Sequence, residues 1–447
     1  MHVGVFLDFL FNKYCMITWY ADVVTADFED PNLWNRFLEQ HIPSGTVQHF
    51  TTHPQLDSSI FKLFKQPHEF KNFNEYTTGN NIVVIGLHGG WTVDKLKFIK
   101  DWFTSDPNRL QAWEDSNCRI VLDYSEEGFT TELFEHVWDW INENNLDDRV
   151  LYISSSCNVE DLYNEWCQQS RLHCNMDTVW YGFFATWLLR DRTMCGISND
   201  LPVAKYSGGP RYMCLNRRPH PHRILLLTLL ERYGLIEKGA VSMPRNFDEV
   251  EIAWDKDFWN ITYQWDLLKD RFNGHIDALE NDFKSLYAKL PLVADTANFA
   301  FNYALDINGD YYKDFPINVI SETLFFSAAT FASEKVWKPI LMGQIFMPMA
   351  APLYLQSLRD LGFKTFSPYV NEEYDLMMDP VERALGIVKS LKTLMALDEI
   401  EFVKLLNDCN PILEHNRQLL QDKTKMENLI SKRVVAKIES NWTQTFI

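Results

Sequence analysis

The sequence predicts an α/β protein of two domains, each built on a parallel sheet, and three observations lead there. Short apolar runs alternate with patterns of helical period in the first half, and strand–helix–strand units recur in the second. The chain has 447 residues, more than one core usually organises, so two domains of about 200 residues are expected. Hydrophobic residues make up 46% and aromatics 14% of the chain, enough core material to exclude a disordered protein.

The first twenty residues, MHVGVFLDFLFNKYCMITWY, lack a basic n-region, an unbroken apolar stretch and a small-residue cleavage site. They are expected to form the first strand and helix. Three buried strands follow, at 81–87 (NIVVIGL), 118–124 (CRIVLDY) and 149–154 (RVLYIS). Between and after them, DKLKFIKDWF and TELFEHVWDWINEN carry the helical period. The loops leaving these strands are HGGW at 88–91, DYSEEGF at 123–129 and SSSCN at 154–158. Ligands bind beyond the strand C-termini of an open parallel sheet, so these loops are expected to line one edge of a cleft. Glycines and prolines at 196, 202 and 208–210 make 193–210 loop-like, and the domains are placed at 1–205 and 206–447.

In the second domain, 211–243 reads as strand, helix, strand, and 244–315 as a mixed region rich in Trp and Phe. The segment 316–366 reads as strand, acidic turn, basic helix, second buried strand, second helix and third short strand. Ser333 can cap the basic helix, Gly343 can end it, and Pro339 is expected to interrupt it. Helical patterns dominate from 379 onward, most clearly EIEFVKLLNDCNPILEHNRQLL.

A net charge of −19 disfavours a surface that grips nucleic acid or an anionic membrane as a whole. A local basic cleft is still compatible with it, because LNRRPHPHR at 215–223 concentrates arginine and histidine. No stretch approaches about 20 unbroken apolar residues, so no membrane span is expected. The eight cysteines form no CxxC pair, and reduced thiols in a cytoplasmic protein are expected. The DxD string at 255–257 follows no buried strand, and no metal is expected.

Glu322, Glu334, Lys335 and Lys338 gather where the strand of the 316–366 unit meets its helix. A helix N-terminus with lysines favours an anion. Glu322, at the end of a buried strand, needs a ligand or a partner, since an uncompensated carboxylate there is costly.

The order Glu322, SEK at 333–335, Gly343 and an apolar strand resembles the donor-binding signature of alpha-1,3-fucosyltransferases and related nucleotide-sugar transferases. Residues 211–234, RYMCLNRRPHPHRILLLTLLERYG, are similar to that family's other donor element. SETLFF stands here where the family has an aromatic-rich Glu-Asn-Ser segment. The resemblance implies a GT-B architecture, two Rossmann-like domains facing across a cleft, in a soluble bacterial or phage enzyme. It implies sugar transfer from a nucleotide-diphosphate sugar as co-substrate, inverting and without metal or other cofactor.

Arg223 and Lys335 would then hold the diphosphate, with Asn216, Arg217, Arg218, Glu322, Ser333, Glu334 and Lys338 around the donor. Glu334 suits a ribose or sugar hydroxyl, or else an ion pair with Lys338 one turn on. The base is expected from the other domain. Asp123, Glu126 and Glu127 share one loop, where carboxylates shift one another's proton affinity, unless that loop is a solvated turn. His88 is the rival base. The acceptor is either a glycan, surface-borne or lipid-linked, or a hydroxymethylated base in phage DNA, which aromatics could hold extruded. The reading from another class is a non-catalytic nucleotide- or sugar-binding protein.

Overall fold

The structure, a computed structural model, describes residues 17–20, 68–71, 81–86, 93–125, 128, 131–190, 203–245, 260–294 and 309–442. His88, Glu126, Glu127, Asp255, Asp257 and most of the first twenty residues lie outside these. The chain divides into two compact units, Met1–Phe183 with Glu427–Ile447, and Phe184–Met426.

The first unit holds a six-stranded sheet of β1 (Ile17–Tyr20), β2 (His68–Lys71), β3 (Asn81–Gly86), β4 (Arg119–Tyr124), β5 (Val150–Ser154) and β6 (Asp177–Trp180). Its order is β2-β1-β3-β4-β5-β6, and every pairing is parallel. The helices are α1 (Val93–Thr104), α2 (Pro107–Glu114), α3 (Glu132–Glu143) and α4 (Val159–Ser170). Each residue of β5 is buried, as expected of a strand covered on both faces. Asp106 starts α2 by accepting from the Asn108 and Arg109 amides, with Pro107 at the first helical position. The buried Arg149 guanidinium donates to the carbonyls of Ala112, Trp113 and Cys118, tying the end of α2 to the entry of β4.

A short helix, α5 (Phe183–Arg190), leads into the second unit. There follow β7 (Tyr212–Leu215), α6 (Pro221–Arg232), β8 (Gly239–Ser242), α7 (Ile261–Phe272), α8 (Glu280–Lys289) and α9 (Gly309–Tyr312). Next come β9 (Ile317–Ser321), α10 (Glu334–Met342), β10 (Ile345–Met349) and α11 (Tyr354–Asp360). The chain closes with α12 (Pro380–Ala396), α13 (Glu399–Gln421) and α14 (Lys423–Trp442). The four strands form a parallel sheet in the order β10-β9-β7-β8. β7 and β9 pair through Tyr212↔Ile317 and Met213↔Asn318. From β7 the chain crosses through α6 to β8 on one side, and from β9 through α10 to β10 on the other. The order reverses between them, which makes the C-terminal ends of β7 and β9 a topological switch point.

Both helices that leave this point are held by burial. α6 is buried continuously from His222 to Leu230, packed against α7, α8 and α12. α10 begins at the cap Ser333 and ends at Gly343, whose φ of +66° suits glycine. The interruption expected at Pro339 does not occur: α10 runs through it, held by the buried stretch from Val336 to Met342. The third short strand expected before 366 is also absent. The Lys364 backbone bonds instead to the Asn416 side chain of α13, which accepts from its amide at 2.7 Å and donates to its carbonyl at 2.8 Å.

Around 204–205, the Ala204 amide donates to Met342 and the Lys205 amide to Lys313, both within the second unit. α14 turns the chain back to the first unit, where Lys437 pairs with Asp177 at 2.6 Å and Arg433 lies over the Trp180 ring.

Gly239 starts β8 beneath the Tyr212 ring, whose hydroxyl donates to Leu235 at 2.7 Å. A Cβ at 239 would collide with that ring. Gly239→Ala is expected to destabilise the protein by about 1–3 kcal/mol, the usual cost of overpacking. Urea unfolding measures it, and unchanged stability would show that the ring can move aside.

Candidate functional site

At the switch point, β7 runs out into Asn216, 1% exposed. Its amide donates to the Ser242 carbonyl, and its Nδ2 reaches Cys214 Sγ at 3.3 Å. Its Oδ1 is buried and has no hydrogen-bond partner among the described residues. Arg217 is half-buried and Arg218 exposed. Pro221 opens α6, and Arg223, 7% exposed, stands in its first turn. Arg223 donates through Nη1 to the Arg218 carbonyl at 3.2 Å, while its buried Nε has no partner among the described residues. Burial lowers the Arg223 pKa to about 10, with Glu334 acting the other way. Burial, and then the Arg223 charge, push His220 and His222 well below the ordinary histidine value. His222 is therefore a neutral ring at neutral pH, and its Nε2–H donates to the Glu322 carbonyl at 2.8 Å. One bond thus spans the two halves of the switch point.

β9 runs out into Glu322, 0% exposed. Its Oε1 accepts from the Tyr354 hydroxyl at 2.6 Å and the Ser333 amide at 3.3 Å, and its Oε2 accepts from Ser333 Oγ at 2.5 Å. Burial raises the Glu322 pKa, opposed by Lys335 and by these hydrogen bonds. Both oxygens are thus engaged inside the protein, and Glu322 supports the start of α10.

Ser333 Oγ accepts from the Lys335 amide at 3.3 Å and from Lys335 Nζ at 3.2 Å. Lys335 Nζ also meets Glu334 Oε1 at 2.8 Å and Thr323 Oγ1 at 3.5 Å. Burial works to raise the Glu334 pKa, yet Lys335 and then Lys338 hold it below its ordinary value. The partner of Glu334 is therefore its neighbour Lys335, with the buried Lys338 adding charge.

Two supporting residues carry no sequence signal. One is Tyr354, in the first turn of α11. The other is Arg383 of α12, which donates to the carbonyls of Phe325, Ala350, Met377 and Met378 and lies 4.5 Å over the Phe325 ring. Phe325 in turn stacks on His222. Arg383 therefore staples the loop after β9 to the end of β10.

In the first unit Asp123 is buried near the end of β4, and its Oδ1 accepts from the Ser125 amide at 2.9 Å. The remaining base candidates, Glu126, Glu127 and His88, lie outside the described residues. Among the described residues no group of three or more His, Cys, Asp or Glu could hold a metal ion. Among them, too, no helix is long and apolar enough to cross a membrane.

The switch point thus gathers two helix N-termini, arginines and lysines, and two buried polar atoms without a partner among the described residues. Such a place can hold an anion and discriminate its neighbouring hydroxyls.

No family model and no curated protein sequence matches the chain. Among solved structures it is similar to an alpha,alpha-trehalose 6-phosphate synthase from Burkholderia multivorans, at 9% identity over 80% of this chain and 72% of that one, with a TM-score of 0.39. It is also similar to a UDP-forming alpha,alpha-trehalose-phosphate synthase from Burkholderia vietnamiensis, at 10% identity over 81% and 72%, with a TM-score of 0.42. Likenesses this distant identify neither a family nor a substrate.

The depressed Glu334 pKa has a consequence for stability. A lowered folded-state pKa adds stability above the unfolded value of 4.5, and that stability is lost as pH falls through the folded pKa. Glu334→Gln is therefore expected to be less stable than the parent at pH 7, with the gap closing as pH falls below about 4.5. Thermal unfolding of both proteins across that range is the measurement, and a gap that does not depend on pH contradicts the assignment.

Proposed function

We propose that the chain is a glycosyltransferase of GT-B architecture, similar to the alpha-1,3-fucosyltransferases, that moves a sugar from a nucleotide-diphosphate sugar to an acceptor hydroxyl. The observation that carries this reading is the pair of buried atoms at a basic switch point, Arg223 Nε and Asn216 Oδ1, that have no partner among the described residues. A diphosphate supplies acceptors for the first, and a ribose or sugar hydroxyl supplies a donor for the second.

In the reaction the acceptor oxygen attacks the anomeric carbon as the bond to the diphosphate breaks, inverting the centre. The departing diphosphate keeps the bonding electrons, and Arg223 and Lys335 stabilise its growing charge. Arg217, Arg218 and Lys338 add to the field, and Glu334 steadies Lys335. The acceptor proton goes to a base of the first unit, drawn from Asp123, Glu126, Glu127 and His88. Fixed cations meet the charge, so no metal is required. A glycan acceptor suits the net charge of −19 better than DNA does.

A thermal-shift panel of nucleotide sugars, followed by glycan and hydroxymethylated-DNA acceptors, tests the reading. Binding without transfer or slow hydrolysis would favour a non-catalytic binding protein. Arg223→Ala and Lys335→Ala are each expected to weaken nucleotide-sugar binding at least about tenfold, since each removes a charge-assisted contact. Calorimetric titration giving the parent's affinity in both variants would falsify the donor assignment. Transfer is expected to survive excess EDTA; an enzyme silenced by chelation and restored by Mn²⁺ would overturn the metal-free mechanism and redirect attention to Asp255 and Asp257.

A further inference from the structure

We infer that Tyr354 and Glu322 are positioning residues of the donor site, which set the hydroxyl of Ser333 and through it the ammonium of Lys335. The inference rests on the donor reading above. It starts from one continuous chain of hydrogen bonds. Tyr354 Oη donates to Glu322 Oε1, Ser333 Oγ donates to Glu322 Oε2, and both the amide and Nζ of Lys335 donate to Ser333 Oγ.

A hydroxyl has one proton and two lone pairs. While Glu322 is ionised it takes that proton, and both lone pairs of Ser333 are left for Lys335. A protonated Glu322 would itself carry an O–H able to donate to Ser333 Oγ, in competition with Lys335. The cap of α10 and the seat of its lysine thus depend on the charge of a carboxylate that is 0% exposed.

The groups around Glu322 fix the direction. Tyr354 from α11, Ser333 at the start of α10 and Lys335 within it favour the ionised form, while burial and Glu334 oppose it. From α6, Arg223 faces it as a charge, and neutral His222 is bonded to its carbonyl. The net result is a pKa above the ordinary carboxylate value, so acidification reaches this carboxylate before most others.

The test measures calorimetric affinity for UDP-glucose and GDP-fucose from pH 8 downward through the Glu322 titration. Both are pyrophosphate diesters whose phosphates do not titrate there. Affinity is expected to fall as pH falls through the Glu322 pKa. In Tyr354→Phe the midpoint should move up by about one pH unit, a tenfold change in proton affinity. In Glu322→Gln, whose amide imitates the protonated acid, binding should be weak at every pH and the pH response lost. Ser333→Thr should retain binding and Ser333→Ala should not. A Tyr354→Phe variant with the parent's midpoint overturns the inference.

A ligand-free measurement separates this from failure of the donor reading. The stability difference between the parent and Tyr354→Phe should be largest where Glu322 is ionised and should shrink below its pKa. A constant difference sinks the relay whether or not any nucleotide sugar binds. A shrinking difference with no nucleotide-sugar binding would keep the relay and remove its donor role.

Discussion

The second unit depends on one lateral contact, the parallel pairing of β7 with β9. The two strands belong to separate crossover units, and neither unit alone offers more than one side of a site. Pairing them brings the ends of both strands to one edge, although 106 positions separate Asn216 from Glu322 (322 − 216). The bond from His222 to the Glu322 carbonyl then locks the ends together beyond the last ladder pair. The buried cations Arg223 and Lys338 and the start of α10 stand beside that junction.

The junction is also electrostatically tense. Arg223, Glu322 and Lys338 are all buried, and burial alone disfavours each charge. The tension is met by arrangement. Glu322 has three donors, and Glu334 has two lysines. Among the described residues, Arg223 is left with part of its donor capacity unused. Polar groups fixed in advance around one underused cation form the kind of environment in which a developing negative charge needs little reorganisation. Arg383 contributes at a distance, by fixing with backbone bonds the loop on which Phe325 stands.

Much of this was legible in the sequence because it is local. The strands β3, β4 and β5 show as runs of Val, Ile and Leu, and the units β7-α6-β8 and β9-α10-β10 show as apolar runs with Ser and Gly at the helix ends. β2 was not legible, since four residues such as HEFK are too short for any period to emerge. Clustering of the basic and acidic residues was legible, but their partners were not. Tyr354 reaches Glu322 from 32 positions away, and Arg383 reaches Phe325 from 58. The missing third strand has the same origin, because Asn416 bonds the Lys364 backbone from 52 positions further on. Pro339 misled for the opposite reason: a local rule about helices yielded to burial of its surroundings.

The return of α14 makes the first unit discontinuous along the chain, with the whole second unit inserted into it. A growing polypeptide leaving the ribosome therefore completes its second unit first. The first unit waits for its closing helix with the edge around Asp177 and Trp180 uncovered. Production of this protein is thus exposed at a defined moment of synthesis, when the second unit is finished and the first still lacks its last helix.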